Sequence, residues 1–361
     1  MSMSKALQPK QILHGLATFG LGGAGGAAAV AVAMPLPWLM GSLALTTAVS
    51  IGGARLAKLT RTRSVVLAIL GVMLGSGFDV AVLGEISHWA ASLAFMLALT
   101  GVMAVVSVWY CRRVAGYDLT TSLFAGVPGG LSVMSQLAAA TGGDVRAVGM
   151  MHALRLCAIL LLTPPAVLAS GAVMPPGGFI PDELFAMPSA LDMAVLTATG
   201  VGGWLGGKLL RLPNPSFMGP LLLSAVVHLG GWSAASPPAF LVVAAQIVIG
   251  AAIGARFQGV TLRVLGQYMK AAAGLVVLLL VLSGLAAWGA HLVLGIDMLA
   301  ALLSYLPGGA PELGLLALTL GIDPAFVAAH HLVRLAVVVV AVPFIAQRLV
   351  ARPAAVPAPG E

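Results

Sequence analysis

Two apolar segments of this chain are broken by the same tripeptide, Pro128-Gly129-Gly130 and Pro307-Gly308-Gly309, at matching places in its two halves. Proline removes a backbone donor and clashes with the preceding turn, and glycine is a poor helix former, so neither segment runs as one uninterrupted helix. Each break is followed by a Gly, an Asp and then an apolar run carrying His-x-x-Arg: His152 and Arg155 in one copy, His331 and Arg334 in the other. An arginine inside an apolar run is costly at membrane depth. Matching defects of both kinds in two halves are the pattern of a membrane transporter with its site between repeats.

Composition puts these breaks in a membrane. The chain is 60% hydrophobic and 8% charged, where a soluble domain averages about 25% charged. Apolar runs long enough to span a bilayer recur from end to end, which reads as a polytopic all-α membrane protein; a barrel would show short alternating segments. The net charge of +7 sits in short loops between spans, where it reports membrane orientation rather than nucleic-acid binding. Cys111 and Cys157 lie far apart, in or beside spans, and supply neither a disulfide framework nor a metal motif.

The spacing predicts ten spans: about 12–33, 36–54, 64–83, 88–111, 145–169, 189–207, 216–233, 238–256, 268–294 and 324–346, with broken segments at 119–141 and 298–320. Lys5 and Lys10 before the first run imitate a secretion signal. A matching segment opens the second half, so the first run is read as a retained span. The expected organisation is a cytoplasmic N-terminus (1–10), a first membrane repeat (11–169), an external linker (170–188), a second repeat (189–347) and a cytoplasmic tail (348–361).

The duplication extends well beyond the breaks. Pro35-x-Pro37-x-x-Met40-Gly41 matches Pro213-x-Pro215-x-x-Met218-Gly219, and Gly71-x-x-x-Gly75-x-x-Phe78 matches Gly250-x-x-x-Gly254-x-x-Phe257. From Pro128 to Pro164, 12 of 37 positions equal their partners without a gap. The Gly-x-x-x-Gly pairs predict close helix packing.

Of the 18 Lys and Arg, 15 fall at the N-terminus or after alternate spans; Arg146, Arg155 and Arg334 belong to the motif segments. The opposite loops carry acids such as Asp79, Asp182, Glu183 and Asp297 instead. Positive-inside orientation then places both termini in the cytoplasm of a bacterial inner membrane. The count closes when each broken segment re-enters on its own side, giving five crossings per half and two inverted repeats. Leu119 to Val127 is nine residues, roughly 13 Å of helix and about half the hydrocarbon thickness. A kinked full crossing in each copy is the alternative, and it places Asp182 and Glu183 on the side of the basic loops.

The candidate site follows. The helices after Pro128-Gly129-Gly130 and Pro307-Gly308-Gly309 would point their N–H groups and positive dipole ends at a ligand; the plainer reading is a Gly-rich hairpin. His-x-x-Arg spacing puts His152 with Arg155, and His331 with Arg334, on one helix face. The arginines suit a carboxylate or phosphate, or else bond carbonyls exposed at the breaks. The histidines would relay protons or brace the arginines. Glu312, whose partner position is Val133, is a counter-ion to Arg155 or Arg334, or a coupling site for H+ or Na+. Ser132 adds a neutral hydrogen-bonding group in the first copy. Asp144 and Asp323 read as N-caps, and His330, opposite Met151, as structural. No metal cluster, nucleotide loop or nucleophile–base motif stands out, so the chain is not read as an enzyme.

The segments Pro128-Gly-Gly-Leu-Ser-Val-Met…His152-x-x-Arg155-Leu and Leu306-Pro-Gly-Gly-Ala-Pro-Glu-Leu…His331-x-x-Arg334-Leu resemble the duplicated membrane domain of the bacterial AbrB family of integral membrane proteins, over roughly 11–350. Members of that family carry the labels "ammonia monooxygenase" and "regulator of gene expression"; they are distinct from the soluble DNA-binding AbrB fold. The resemblance implies a membrane protein and names no substrate.

Taken together, the sequence predicts a secondary transporter of a small organic anion, working by alternating access; the alternative is a membrane protein that regulates gene expression, directly or through solute import. Expected partners are the lipid bilayer and a small anionic solute, with no nucleic acid and with homo-oligomerisation left open. No cofactor is expected beyond a coupling H+ or Na+.

Overall fold

The computed structural model describes residues 9–57, 59–80, 82–169, 171 and 184–349. The expectations for 1–8, for most of the linker with Asp182 and Glu183, and for the tail from 350 lie outside these residues. The described residues are helical throughout, without strands. The helices are α1 (Pro9–Ala31), α2 (Pro37–Ile51), α3 (Thr60–Gly75), α4 (Val82–Arg113), α5 (Leu119–Gly126), α6 (Leu131–Ala140), α7 (Val145–Ala169), α8 (Ala190–Leu209), α9 (Pro215–Leu229), α10 (Ala239–Gly254), α11 (Leu262–Leu294), α12 (Met298–Tyr305), α13 (Ala310–Thr319) and α14 (Pro324–Leu349). A single 3-10 turn, Ala255–Phe257, extends α10.

Seven of these helices precede the linker and seven follow it, with lengths that match in order. The short ones are 8 and 10 residues in each half (α5 and α6, α12 and α13). Even the strained backbone repeats: Ala33 and Leu36 have φ of 52° and 45°, and Arg211 and Asn214, at the equivalent places in the second half, have 53° and 48°. Left-handed φ at non-glycine residues costs about 1–2 kcal/mol each, so its recurrence marks a shared chain path between the first two helices of each half.

Both predicted breaks are real. Val127 and Leu306 close α5 and α12 with ψ of 131° and 133°. The following Gly129 and Gly308 amides donate back to the Val127 and Leu306 carbonyls at 2.8 and 2.9 Å. These are three-residue turns centred on Pro128 and Pro307, whose fixed φ suits them. Each short leading helix is N-capped by an aspartate. Asp118 accepts from the Thr121 amide at 2.9 Å and Asp297 from the Ala300 amide at 2.8 Å. Asp144 and Asp323 cap α7 and α14 likewise, through the Ala147 and Ala325 amides.

Among the described residues, five helices are long and apolar enough to cross a membrane: Ser87–Arg113 within α4, α7, α10 with its 3-10 turn, α11 and α14. The chain is a polytopic membrane protein. α2, α3 and α9 are shorter than predicted, at 15, 16 and 15 residues; α2 gives way to Gly52 and a left-handed Gly53, and α3 ends at Gly75.

The chain forms two compact units, and each draws equivalent helices from both halves. The first holds α1–α3, α8–α10 and most of α13. Here glycines let backbones touch. A Cβ on Gly250 would lie 2.6 Å from the Leu39 carbonyl oxygen, and one on Gly71 would lie 2.6 Å from that of Phe217. So α10 packs on α2 as α3 packs on α9, and the Gly-x-x-x-Gly expectation holds. Ser42 Oγ donates to the Ile247 carbonyl and Ser224 Oγ to the Val72 carbonyl, both at 2.8 Å, across the same two crossings. The second unit holds α4 from Ser87, α5, α6, the start of α7, α11, α12 and α14 from Phe326. Part of its core is Met96, Ala287, Ala290, Ala301 and Tyr305.

Candidate functional site

A helix that stops inside an apolar protein interior leaves carbonyls without partners. In the second unit the His–Arg pairs answer that problem twice. His152 Nε2 donates to the Phe124 carbonyl at 2.8 Å, and Arg155 Nη1 donates to the Gly126 carbonyl at 3.2 Å. In the other copy, His331 Nε2 donates to the Leu303 carbonyl at 3.0 Å, and Arg334 Nη1 to those of Tyr305 (3.3 Å) and Leu306 (2.9 Å). The acceptors are the last carbonyls of α5 and α12, where a positive charge also complements the helix dipole. The four side chains are 2–5% exposed.

Within each pair the arginine also bonds its histidine. Arg155 Nη2 donates to His152 Nδ1 at 2.9 Å, and Arg334 Nη2 donates to His331 Nδ1. Since a carbonyl and a guanidinium fix both ring nitrogens, the proton sits on Nε2 and Nδ1 is the acceptor. A second ring proton would face an arginine donor. Of the two roles considered for these histidines, the geometry is that of a brace.

Arg155 on α7 and Arg334 on α14 lie in the same compact unit. Neither has a carboxylate partner among the described residues. Of the five N–H donors that each guanidinium carries, Arg155 spends two on Gly126 and His152. The first elbow adjoins the second pair: Val338, one turn beyond Arg334, would lie 3.2 Å from a Cβ on Gly129, and Leu335 3.8 Å from one on Gly130. Neither Gly129 nor Gly130 has positive φ; a Cβ on Gly129 would crowd the Met134 and Val338 side chains, whereas one on Gly130 would meet only ordinary contact. Pro128 and Pro307 are buried, and Gly129, Gly130, Gly308 and Gly309 are half-buried.

With this arrangement in view, comparison with known proteins places the chain. The family described as "Transition state regulatory protein AbrB" matches residues 38–350. The chain belongs to the AbrB family. It is 28% identical over 296 residues to YhjN of Bacillus subtilis (strain 168), covering 76% of this chain and 75% of that one. It is 26% identical over 322 residues to an Escherichia coli (strain K12) protein whose name describes it as a regulator, AbrB, covering 88% and 91%. Both motif copies fall inside the region that the family matches.

The two elbows differ. α6 starts after Gly130 with no side-chain cap, so its first N–H groups have no intrahelical acceptor. Ser132 lies in its first turn, and its side chain is outside the described residues. α13 instead carries Glu312 in its first turn. Glu312 belongs to the first unit, apart from the other candidates. The sequence offered Arg155 or Arg334 as its counter-ion; within its own unit the cations acting on it are Arg63 and Arg256.

One buried network was not foreseen. Tyr305 OH donates to Ser92 Oγ at 2.9 Å, Ser92 donates to His330 Nε2 at 2.8 Å, and His330 Nδ1 donates to the Phe326 carbonyl at 2.8 Å. It ties α4 to α14 and to the residue whose carbonyl Arg334 binds. The Asp118 and Asp297 caps were legible in principle, as aspartates at equivalent positions directly before each broken segment.

Proposed function

We propose that the protein is a secondary transporter of a small organic anion, bound at Arg155 and Arg334 and carried by alternating access between inverted halves of an inner-membrane protein with both termini cytoplasmic. One observation supports the reading: two buried arginines from equivalent positions in the two halves lie in one compact unit, each against the end of a broken segment and without a carboxylate partner among the described residues. Two like charges held together at membrane depth are unfavourable unless an anion joins them. The donors not spent on helix carbonyls would receive its oxygens, with bidentate geometry favouring carboxylate or phosphate. The uncapped start of α6 would add backbone N–H groups and Ser132. Pro128, Gly129, Gly130, Pro307, Gly308 and Gly309 would let the anion approach the backbone.

The regulator name of the Escherichia coli relative is compatible with this reading if the imported solute is what changes expression. The test is a thermal-shift panel of inorganic phosphate and small mono- and dicarboxylates on the detergent-solubilised protein. An anion at one hundred times its dissociation constant would stabilise it by about 2.7 kcal/mol. Stabilisation by one anion class, lost in Arg155→Gln and Arg334→Gln, supports the site. Equal stabilisation of wild type and both variants would refute it.

A further inference from the structure

Glu312 is a buried acid that the arginine site does not use. It is 4% exposed, and its Oε2 has no hydrogen-bond partner among the described residues. The charged groups acting on it are Arg63, near the start of α3, and Arg256, in the 3-10 turn that ends α10. Arg63 Nε is itself buried and unpartnered. Burial alone favours the neutral acid, and nearby cations alone favour the carboxylate. A carboxyl held between those two influences, with one oxygen left unbonded, suits a group that changes charge during its work.

Glu312 lies on α13 and is not among the residues that line the cavity at the far end of that helix. Further along the same helix, Leu318 lines a cavity of about 680 Å³ with Met73, Ser76, Asp192, Ser236 and Pro324. That separation is roughly 9 Å of helix. Between the two, Gly314 presses on Leu74: a Cβ there would lie 2.6 Å from the leucine side chain, beside cavity-lining Met73. In the positive-inside orientation proposed above, the cavity would open to the external side. The other half has Val133 at the equivalent position, so one copy alone carries this group.

We propose that Glu312 is a proton-binding site, loaded from this cavity, that couples proton movement to transport; the coupling rests on the transport reading above, the protonation does not. In the step, a hydronium ion on the cavity side gives its proton, passed over the roughly 9 Å along α13, to a Glu312 carboxylate oxygen, leaving water and a neutral acid O–H; the reverse step returns the carboxylate and regenerates hydronium. A metal cation would need several oxygen ligands beside two fixed guanidinium charges, whereas a proton needs one oxygen.

The experiment is infrared difference spectroscopy of the purified protein stepped between neutral and acidic pH, compared with Glu312→Gln. A carbonyl-stretch band of a buried carboxylic acid should appear on acidification in wild type and be missing in Glu312→Gln. Should that variant not fold, wild type treated with dicyclohexylcarbodiimide, which adds to protonated carboxyls, should carry the adduct on the Glu312 peptide more heavily at acidic pH. Identical difference spectra, or an adduct level independent of pH, would overturn the site. Suppression of the band or adduct by sodium ions at fixed pH would overturn it in favour of a cation site. If the band appears but no anion is ever bound, the proton site stands and the transport reading fails. If an anion is bound and moved while Glu312 shows no band, the reverse holds.

Discussion

Gly250→Ala is the sharpest probe of how the first unit is built. A Cβ at this position would lie 2.6 Å from the Leu39 carbonyl oxygen and 2.9 Å from both the Leu43 amide nitrogen and Ser42 Cβ, where ordinary contact begins at 3.4 Å. Two of these are backbone atoms of α2, which cannot swing aside as a side-chain tip can. α2 and α10 must therefore part by about 0.8 Å, disturbing the Ser42 Oγ bond to the Ile247 carbonyl at the same crossing. Overpacking of this kind costs about 1–3 kcal/mol, offset by up to about 1 kcal/mol from alanine's better helix propensity. Two of the three close contacts are backbone atoms, which puts the cost in the upper part of that range, about 2–3 kcal/mol; net of the propensity gain about 1–2 kcal/mol remains, and at about 2–4 °C per kcal/mol the thermal midpoint in detergent should fall by roughly 2–8 °C. Gly71→Ala, which meets the Phe217 carbonyl at 2.6 Å, should behave alike. The control is Gly206→Ala in α8, where nothing lies within 4 Å of the added carbon; its midpoint should hold or rise. If Gly250→Ala melts with wild type or above it, the backbone-contact account of this unit is wrong.

Other consequences concern the second unit and the caps. Asp118→Ala and Asp297→Ala each remove the N-cap of a half-length helix and should cost about 0.5–2 kcal/mol in detergent unfolding; no loss in either would contradict the capping role. His331→Gln leaves the Leu303 carbonyl and an Arg334 donor without their partner, so it should lower stability by about 1–3 kcal/mol while leaving the pH profile of uptake unchanged. A profile shifted along the pH axis would restore the relay role. Tyr305→Phe removes one bond of the Ser92–His330 network and should cost about 0.5–1.5 kcal/mol by the same unfolding assay; an unchanged midpoint would show that the network adds no stability.

Much of this architecture was legible because the chain states it twice. Both elbows, the glycine pairs and the caps at Asp144 and Asp323 follow from local patterns repeated at a fixed offset, whereas the ends of α2, α3 and α9 fall short of the apolar runs that predicted them. The brace role of His152 and His331 was one of two open options, and only the bond from Arg155 or Arg334 to Nδ1 separates them. Long-range pairing was not legible. Ser92 and His330 meet from far-apart stretches of the chain, and no periodicity links them. Glu312 was visible as the one acid in either broken segment, but its neighbours Arg63 and Arg256 look like ordinary loop charges until α3 and α10 are brought together. The first unit mixes α1–α3 with α8–α10, and that interleaving depends on glycine contacts whose partners the sequence does not name.

The central claim is that Arg155 and Arg334 hold an anion that the protein then moves across a membrane. Its most direct test is entry of the anion selected by the thermal-shift panel, radiolabelled, into proteoliposomes holding the purified protein. The account predicts saturable entry above protein-free vesicles, abolished in Arg155→Gln and in Arg334→Gln although both variants insert and fold. Entry no faster than in empty vesicles, or undiminished in both variants, would contradict it.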